Sequence, residues 1–409
     1  MSSRGRCQAE LDGCLTAGGW APGSPNGAMA IEAIREFRIG EGGILRRFET
    51  AAHLTRLGPQ IVCALAMTWF PVVVLSLVNE RMTGRREPLV HAAGFHVRLL
   101  VAMPVLLALD QVFPRVCRSV LTQLVTQSFV PDVAEGRLDR VLRSGTRLAD
   151  STAPELILAA LALCVGLGEL AGVVPLIGRT RASGLTAPQV WHALADVPFV
   201  QFLLWRSLWR WVIWVRVLIG LARIELDLVP SHPDRRGGIN FLRWPSIGYC
   251  SMLVFAISSM LCASQVTRFT ASGVTLTTFA PLLLAFAATG TLIAFGPLLL
   301  FSPQLMRARR LGLIEYGRLG AEYGRGFQSR WFSEHRPGAG IGPRSTQPLS
   351  DLAVTYRDTI DRFRILLFDK RDMVTLLVAT LLPMVPVILM RVPTEDWRRL
   401  LTMLAGAGF

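Results

Sequence analysis

Charged residues inside apolar stretches are the strongest chemical signal in this sequence. Glu169 lies in one long apolar run, and Arg206 and Arg210 lie in the next. Burying an ionised group in hydrocarbon is expensive, so each is expected to find a partner of opposite charge. At 1.5 Å per residue, Glu169 lies about 12 Å before the end of its run, and Arg206 lies about 12 Å after the start of the next run. Because consecutive spans are antiparallel, both are expected at the same depth. We therefore predict that Glu169 pairs with Arg206 or Arg210.

Two interpretations of that pair remain open. It is either a structural ion pair holding two helices together, or part of a path for an anion or a proton lined by Arg206 and Arg210. Gly168 and Gly172 lie beside Glu169 in a GxxxG spacing, which favours close approach of a neighbouring helix.

A second group of polar residues lies in the run His232-Pro-Asp234-Arg235-Arg236-Gly-Gly. The residue before a proline avoids the helical region, and the glycine pair permits positive φ, so the run predicts an ordered turn. Asp234 then either caps the turn while the arginines meet lipid phosphates, or joins His232 and Arg235 in a ligand or partner site. One imidazole and one carboxylate are too few for a metal site.

Recognisable catalytic patterns are missing from the sequence. The six histidines are dispersed, and neither a GxSxG, an HExxH nor a P-loop pattern occurs. We therefore predict no catalytic residue, no metal and no cofactor, and we lean against an enzyme.

The composition predicts that these residues are positioned by membrane helices. Of 409 residues, 51% are hydrophobic and only 18% are charged, whereas soluble domains carry about 25% charged residues. We predict an all-α, polytopic bundle of about seven spans, within a range of six to eight. The predicted spans are Pro59–Val78, His96–Pro114, Pro154–Ile177, Pro198–Ala222, Ser246–Ala263, Thr275–Phe301 and Val374–Met390.

The fourth of these segments is ambiguous, because it contains three arginines and four tryptophans. A helix lying partly at the membrane interface would reduce the count to six spans. With seven spans, the loops on one side hold 30 basic residues and those on the other side hold 9. The positive-inside rule then predicts a cytoplasmic N-terminus.

The sequence divides into four regions. Residues 1–28 are predicted to be a disordered tail, 29–301 a membrane domain with six spans, 302–373 a cytoplasmic loop, and 374–409 the last span with a short tail. Within the loop, Ser302-Pro303 predicts the start of one amphipathic helix, which contains the repeat Glu-Tyr-Gly-Arg at 315–318 and 322–325. A Gly/Pro-rich hinge follows at 336–348, and apolar residues spaced by three and four between Leu349 and Leu367 predict a second amphipathic helix.

Three stretches resemble a family of bacterial integral membrane proteins of uncharacterised activity. They are the run from Leu228 to Leu242, the Glu-Tyr-Gly-Arg stretch and the late run Leu382–Pro386. The resemblance covers roughly 222–399 and implies a membrane location; we predict that this membrane is the inner membrane of a bacterium. Arg236 stands where a small residue is expected from the family.

Three function classes follow from these observations. The first is a channel or transporter for a small anion or a proton, which needs a route to Arg206 and Arg210. The second is a membrane scaffold or regulatory protein that docks a cytoplasmic protein, and the third is an enzyme built on the His232–Asp234 turn. The predicted partners are the lipid bilayer, a cytoplasmic protein and a second copy of the chain. Nucleic acid is not expected, because the net charge of +14 is divided among loops beside apolar segments.

Overall fold

The chain is helical throughout the part that the structure describes. The computed structural model describes residues 56–173, 185–272, 276–331 and 350–386. No strand occurs within those four ranges, so the predicted all-α class is confirmed for them. The predicted N-terminal tail, the hinge and the C-terminal tail lie outside the described residues.

Nine helices are labelled here in chain order. Helices α1 and α2 each contain a break or an irregular turn: α1 is Leu57–Thr83 with a break at Thr68, and α2 is Ala93–Thr126 with a π-helical turn at Arg98–Ala102. The others are α3 Glu135–Asp150, α4 Thr152–Leu170, α5 Val197–Ala222, α6 Arg243–Ser272, α7 Leu276–Leu299, α8 Ser302–Trp331 and α9 Lys370–Leu381. A short helix, Ala187–Trp191, and a π-helical turn, His192–Asp196, lead directly into α5.

Four helices of the described part are long and apolar enough to cross a membrane. They are α1, α2, α4 and a segment of α6 with its preceding turn, Asn240–Ser264. A fifth span results if α7 and α8 count as one bent unit, because Leu284–Leu299 and Ser302–Gly326 meet at 47°. The structure thus supports four or five of the seven predicted spans by length and composition, and the full count stays a prediction.

The ambiguous fourth segment forms the central helix of the bundle. Helix α5 is 26 residues long, or about 39 Å, and packs against α2, α3 and α4. Arg206, Arg210 and Trp214 are buried in the bundle, while Leu208 and Val212 are exposed. Its charges are therefore turned towards neighbouring helices, an arrangement that favours a packed helix over one lying at an interface.

Close packing of α4 on the start of α5 depends on Gly166. A Cβ atom at this position would lie 2.1 Å from the carbonyl oxygen of Ala193 and 2.9 Å from the ring of Pro198. The predicted GxxxG contact through Gly168 and Gly172 is wrong, because α4 ends at Leu170 and Gly172 lies beyond it with a φ of 74°. Gly172 instead terminates the helix, and its N–H donates to the carbonyl of Glu169 over 3.0 Å.

The segment after the hinge differs in part from its prediction. Helix α8 begins at Ser302 as predicted, but the second amphipathic helix ends at Asp361 in a π-helical turn, six residues early. Phe363 and Leu367 are buried, as their spacing suggests, yet they lie in an irregular segment. The helix stops there because the chain turns to dock on another loop, with the Arg364 N–H donating to the Arg235 carbonyl over 2.8 Å.

Candidate functional site

Arg206 lies at the centre of a buried cluster of charges. We call Asp110, Glu155, Arg206 and Arg210 the Arg206 cluster. The Arg206 Nε donates to Glu155 Oε1 over 2.9 Å, and its Nη1 donates to both side-chain oxygens of Asp110 over 2.8 and 2.9 Å. The Arg206 side chain is 1% exposed. A planar guanidinium suits this task because it can address two carboxylates at once.

Arg210 reaches the same carboxylate and also a backbone carbonyl. Its Nη1 forms an ion pair with the Asp110 carboxylate and donates to the Asp110 main-chain oxygen over 2.9 Å. That oxygen would normally accept the N–H of the residue four positions later, but this residue is Pro114, which lies inside α2 and has no N–H. Arg210 thus supplies the hydrogen bond that the proline removes.

The predicted pairing of Glu169 with Arg206 or Arg210 is wrong. Glu155, which does bind Arg206, lies 14 residues before Glu169 on α4, or about 21 Å along the helix axis. The depth estimate failed because it let the helix continue to Ile177, whereas α4 ends at Leu170. Glu169 is therefore in the last turn of its helix rather than near the middle.

Glu169 belongs to a second buried cluster at the other end of the same helices. We call Arg98, Glu169, His192 and Asp196 the His192 cluster. All four residues are buried, and Arg98 lies close enough to Glu169 and Asp196 for both charges to act on it. His192 Nδ1 and Asp196 Oδ2 are 3.0 Å apart. Arg98, His192 and Asp196 all lie in π-helical turns, which are rare in proteins and frequent at functional sites.

An apolar layer separates the two clusters. Arg98 precedes Asp110 by 12 residues and Asp196 precedes Arg206 by 10, or about 18 and 15 Å along their helices. The buried residues between them on α2, α4 and α5 are small or aliphatic and include Ala102, Met103, Leu106, Ala162, Val200 and Leu203. The described bundle thus holds charge at two levels with an apolar layer between them.

The turn at His232 is organised by Asp234. Its Oδ1 accepts from the main-chain N–H of Arg236 over 2.8 Å and of Gly238 over 3.0 Å, and its Oδ2 accepts from Asn240 over 3.1 Å. His232 Nδ1 lies 2.9 Å from Asp234. Arg235 adopts a φ of 58°, which the turn requires. Because both carboxylate oxygens hold the backbone, this arrangement favours turn stabilisation over catalysis.

Arg236 ties that turn to the segment before α9. Its side chain donates to the carbonyl of Leu366 over 2.8 Å, to Asn240 over 2.6 Å and to Asp369 over 2.6 Å. Arg243 also donates to Asp369, over 3.1 Å. Arg236 is 2% exposed, so a large side chain fills the place where the family resemblance suggests a small one.

Charge around Asp369 determines its protonation. Partial burial alone would raise the pKa of this carboxyl, but the hydrogen bond from Arg236 and the charges of Arg236, Arg364 and Arg243 outweigh that effect and lower the pKa below its ordinary value. Asp369 also caps α9, because its side chain and that of Asp372 form a capping box. The carboxylate form therefore holds both the turn and the helix start.

Sequence reasoning found the arginines of the Arg206 cluster but not their partners. Asp110 had a detectable signal, because it is a carboxylate in an apolar run four residues before a proline. Glu155 lies in the first turn of α4, at the end of its apolar run, so hydropathy gives no sign that its carboxylate is buried. His192 and Asp196 are spaced by four residues, but they precede the apolar segment that begins at Pro198.

Comparison of the chain with protein-family models, with curated proteins and with solved structures finds no match. The resemblance to a bacterial membrane protein family therefore stays a prediction from the residues that carry it.

Proposed function

We propose that the chain is an integral protein of a bacterial inner membrane, with its N-terminus in the cytoplasm, and that it transports protons. The stacking of two buried charge clusters along α2, α4 and α5 carries this proposal. Intramembrane ionisable residues are costly and frequently belong to ion or proton pathways. The excess of basic residues in one set of loops supports the orientation.

Large apolar side chains on the helix surfaces support membrane insertion. Ile157 on α4 is 65% exposed and Leu292 on α7 is 70% exposed. A water-soluble protein rarely leaves many such side chains exposed on its long helices. Lipid tails are the environment that fits them.

Charge balance favours a proton over an anion. The Arg206 cluster contains two arginines and two carboxylates, so its four side chains are neutral together and attract an anion weakly. The His192 cluster contains one arginine, two carboxylates and a histidine, so its four side chains carry one negative charge while the imidazole is neutral. One added proton neutralises that second cluster.

The apolar layer favours a gated transporter over an open pore. A proton moves between groups that are hydrogen-bonded directly or through water, and about 15 Å of packed aliphatic side chains provides neither. Transfer between the clusters therefore needs a second conformation or transient water entry. The described structure fits a closed state.

The test is proton flux into proteoliposomes. We expect an imposed pH gradient to decay faster in vesicles containing the purified protein than in empty vesicles, as reported by a trapped pH-sensitive dye. Glu155→Gln should slow the decay, whereas Arg216→Met, a change at an exposed position of α5, should leave it unchanged. Decay at the rate of empty vesicles would contradict the proposal, and chloride flux without proton flux would favour the anion alternative.

A membrane scaffold is the second candidate function. From Leu313 to Gly326 no residue of α8 is buried, and the stretch includes both Glu-Tyr-Gly-Arg repeats. A helix that packs none of these residues into the bundle has a surface available for docking of a cytoplasmic protein. Co-purification by the full chain but not by a variant lacking 303–332, together with an absence of proton flux, would favour this alternative.

A further inference from the structure

The turn before α5 pairs a histidine with a carboxylate in an enclosed setting. His192 is 2% exposed and Asp196 is fully buried. They are four residues apart in a π-helical turn, and their side chains meet at 3.0 Å. When Asp196 is ionised, the His192 Nδ1–H donates to it, and the ring is held with a lone pair on Nε2.

The lone pair of His192 Nε2 can accept a hydrogen bond or a proton. Within the described ranges it has no hydrogen-bond partner, although it is fully enclosed. His192 also lines a cavity of about 20 Å³ together with Glu169 and Gln189. The cavity opens in part to the surface beside Leu185, its volume is enough for about one water molecule, and its lining supplies at least two polar partners for that water.

Charged side chains from several elements surround the imidazole. Asp196 is in contact with the ring, Glu169 shares the cavity, and Arg98 on α2 lies near both carboxylates. Glu87 adds a further carboxylate behind the cavity wall, because Gln189 donates to it over 3.0 Å.

The neighbouring histidine on α2 cannot take the same role. His96 Nδ1 accepts from the indole N–H of Trp69 over 3.1 Å, and its Nε2 lies 2.7 Å from the carbonyl of Val90. Both of its ring nitrogens are thus engaged in a neutral tautomer.

We propose that the His192–Asp196 pair is a proton-binding site, loaded through a water molecule in the cavity beside Glu169. A hydronium ion in the cavity gives up one O–H bond and remains as water, while the Nε2 lone pair forms an N–H bond and the ring becomes an imidazolium. One imidazole and one carboxylate on the cavity wall are fewer ligands than a transition metal requires. This inference deepens the proposed proton transport and rests on it for its physiological meaning.

The experiment follows the histidine signals by NMR. The purified chain, labelled with ¹⁵N-histidine in lipid nanodiscs, is titrated from pH 5 to pH 8. His192→Gln identifies the His192 signal by its loss. If that variant does not fold, a second variant that keeps His192 and replaces the other five histidines by Gln makes the same assignment.

We expect the His192 signal to convert from the neutral to the imidazolium form within that range. Asp196→Asn should weaken proton binding about tenfold, and so move the midpoint down by about one pH unit, because it removes a charge in contact with the ring. The matched control is Asp139→Asn, which removes the carboxylate of an exposed pair of the same spacing with Arg143. It should leave the His192 midpoint unchanged.

A His192 signal that stays neutral from pH 5 to pH 8 would overturn the inference, as would a midpoint that Asp196→Asn does not move. The proposed function fails separately. If His192 titrates but proteoliposomes show no proton flux, the binding site is supported and proton transport is contradicted. If proton flux occurs but His192 does not titrate, transport is supported and this binding site is contradicted.

Discussion

Replacing Arg206 by methionine tests whether the Arg206 cluster holds the bundle together. The change removes a 1% exposed guanidinium that donates to both Asp110 and Glu155. Two carboxylates then remain in the bundle without it, and breaking a buried ion pair in this way costs about 3–5 kcal/mol. With about 2.1 cal/mol/K of unfolding entropy per residue, a chain of 409 residues shifts by about 1 °C per kcal/mol, so the melting temperature should fall by about 5 °C.

The assay is thermal unfolding in detergent, followed by the far-UV circular dichroism of the helices. The matched control is Arg216→Met, because Arg216 lies on the same helix and is exposed. Arg206→Lys should recover only part of the loss, since an ammonium group cannot fork onto two carboxylates. The combined Arg206→Met and Glu155→Leu variant should lose less stability than the sum of the two single changes, because it removes both charges of the Arg206–Glu155 pair and leaves neither of these two buried alone. Equal melting temperatures for Arg206→Met and Arg216→Met would refute the reasoning.

Three further predictions concern packing and the turn. Gly166→Ala should destabilise by about 1–3 kcal/mol in the same assay, because the new Cβ meets a carbonyl oxygen at 2.1 Å, whereas Gly248→Ala, in open space, should be neutral or stabilising; a loss at both positions would rule out the contact as the cause. Arg236→Ala should cost about 3 kcal/mol through its lost hydrogen bonds, and Arg307→Ala, which removes an exposed ion pair, about 0–1 kcal/mol. Because the pKa of Asp369 is lowered, its contribution to stability should be complete above about pH 4 and fall as the pH drops through the folded pKa. Asp369→Asn should remove that part of the acid dependence, and an unchanged pH profile would contradict the assignment.

Much of the helical framework could be predicted from the sequence. Apolar length alone located α1, α2, α4 and α6, and the Ser302-Pro303 pair located the start of α8. The need of Arg206 for a buried carboxylate was also predictable, because an unpaired guanidinium in hydrocarbon is energetically costly.

The identity of that carboxylate depended on features that apolar length does not encode. Hydropathy extended the predicted α4 to Ile177, but the helix ends at Leu170, before Gly172. The predicted level of Glu169 relative to α5 was therefore wrong by about two helical turns. The register between α4 and α5 is set by the contact of Gly166 with Ala193 and Pro198, which is a tertiary contact. Asp110 comes from a helix almost a hundred residues earlier, so its approach to Arg206 could be seen only in the folded chain.

For the His232 turn, the local conformation could be predicted from the sequence but the long-range contact could not. Its proline and glycines predicted an ordered turn, and the structure has one. Its docking partner could not be predicted, because Asp369 and Leu366 lie about 130 residues later in a segment whose apolar spacing looked helical. Burial of Phe363 satisfies that spacing without a helix.

The most direct test of the account is the environment of Val212. This residue is 52% exposed on α5, next to Trp211 and two positions after the buried Arg210. A spin label attached to Val212→Cys, in a chain whose native cysteines are replaced by alanine and which is reconstituted in liposomes, should be reached readily by oxygen and poorly by a water-soluble nickel complex. The same label at Val133→Cys, a 95% exposed position in the 3-10 turn before α3, should show the reverse. Equal access of the nickel complex to both positions would place α5 in water and contradict the claim that lipid surrounds the two charge clusters.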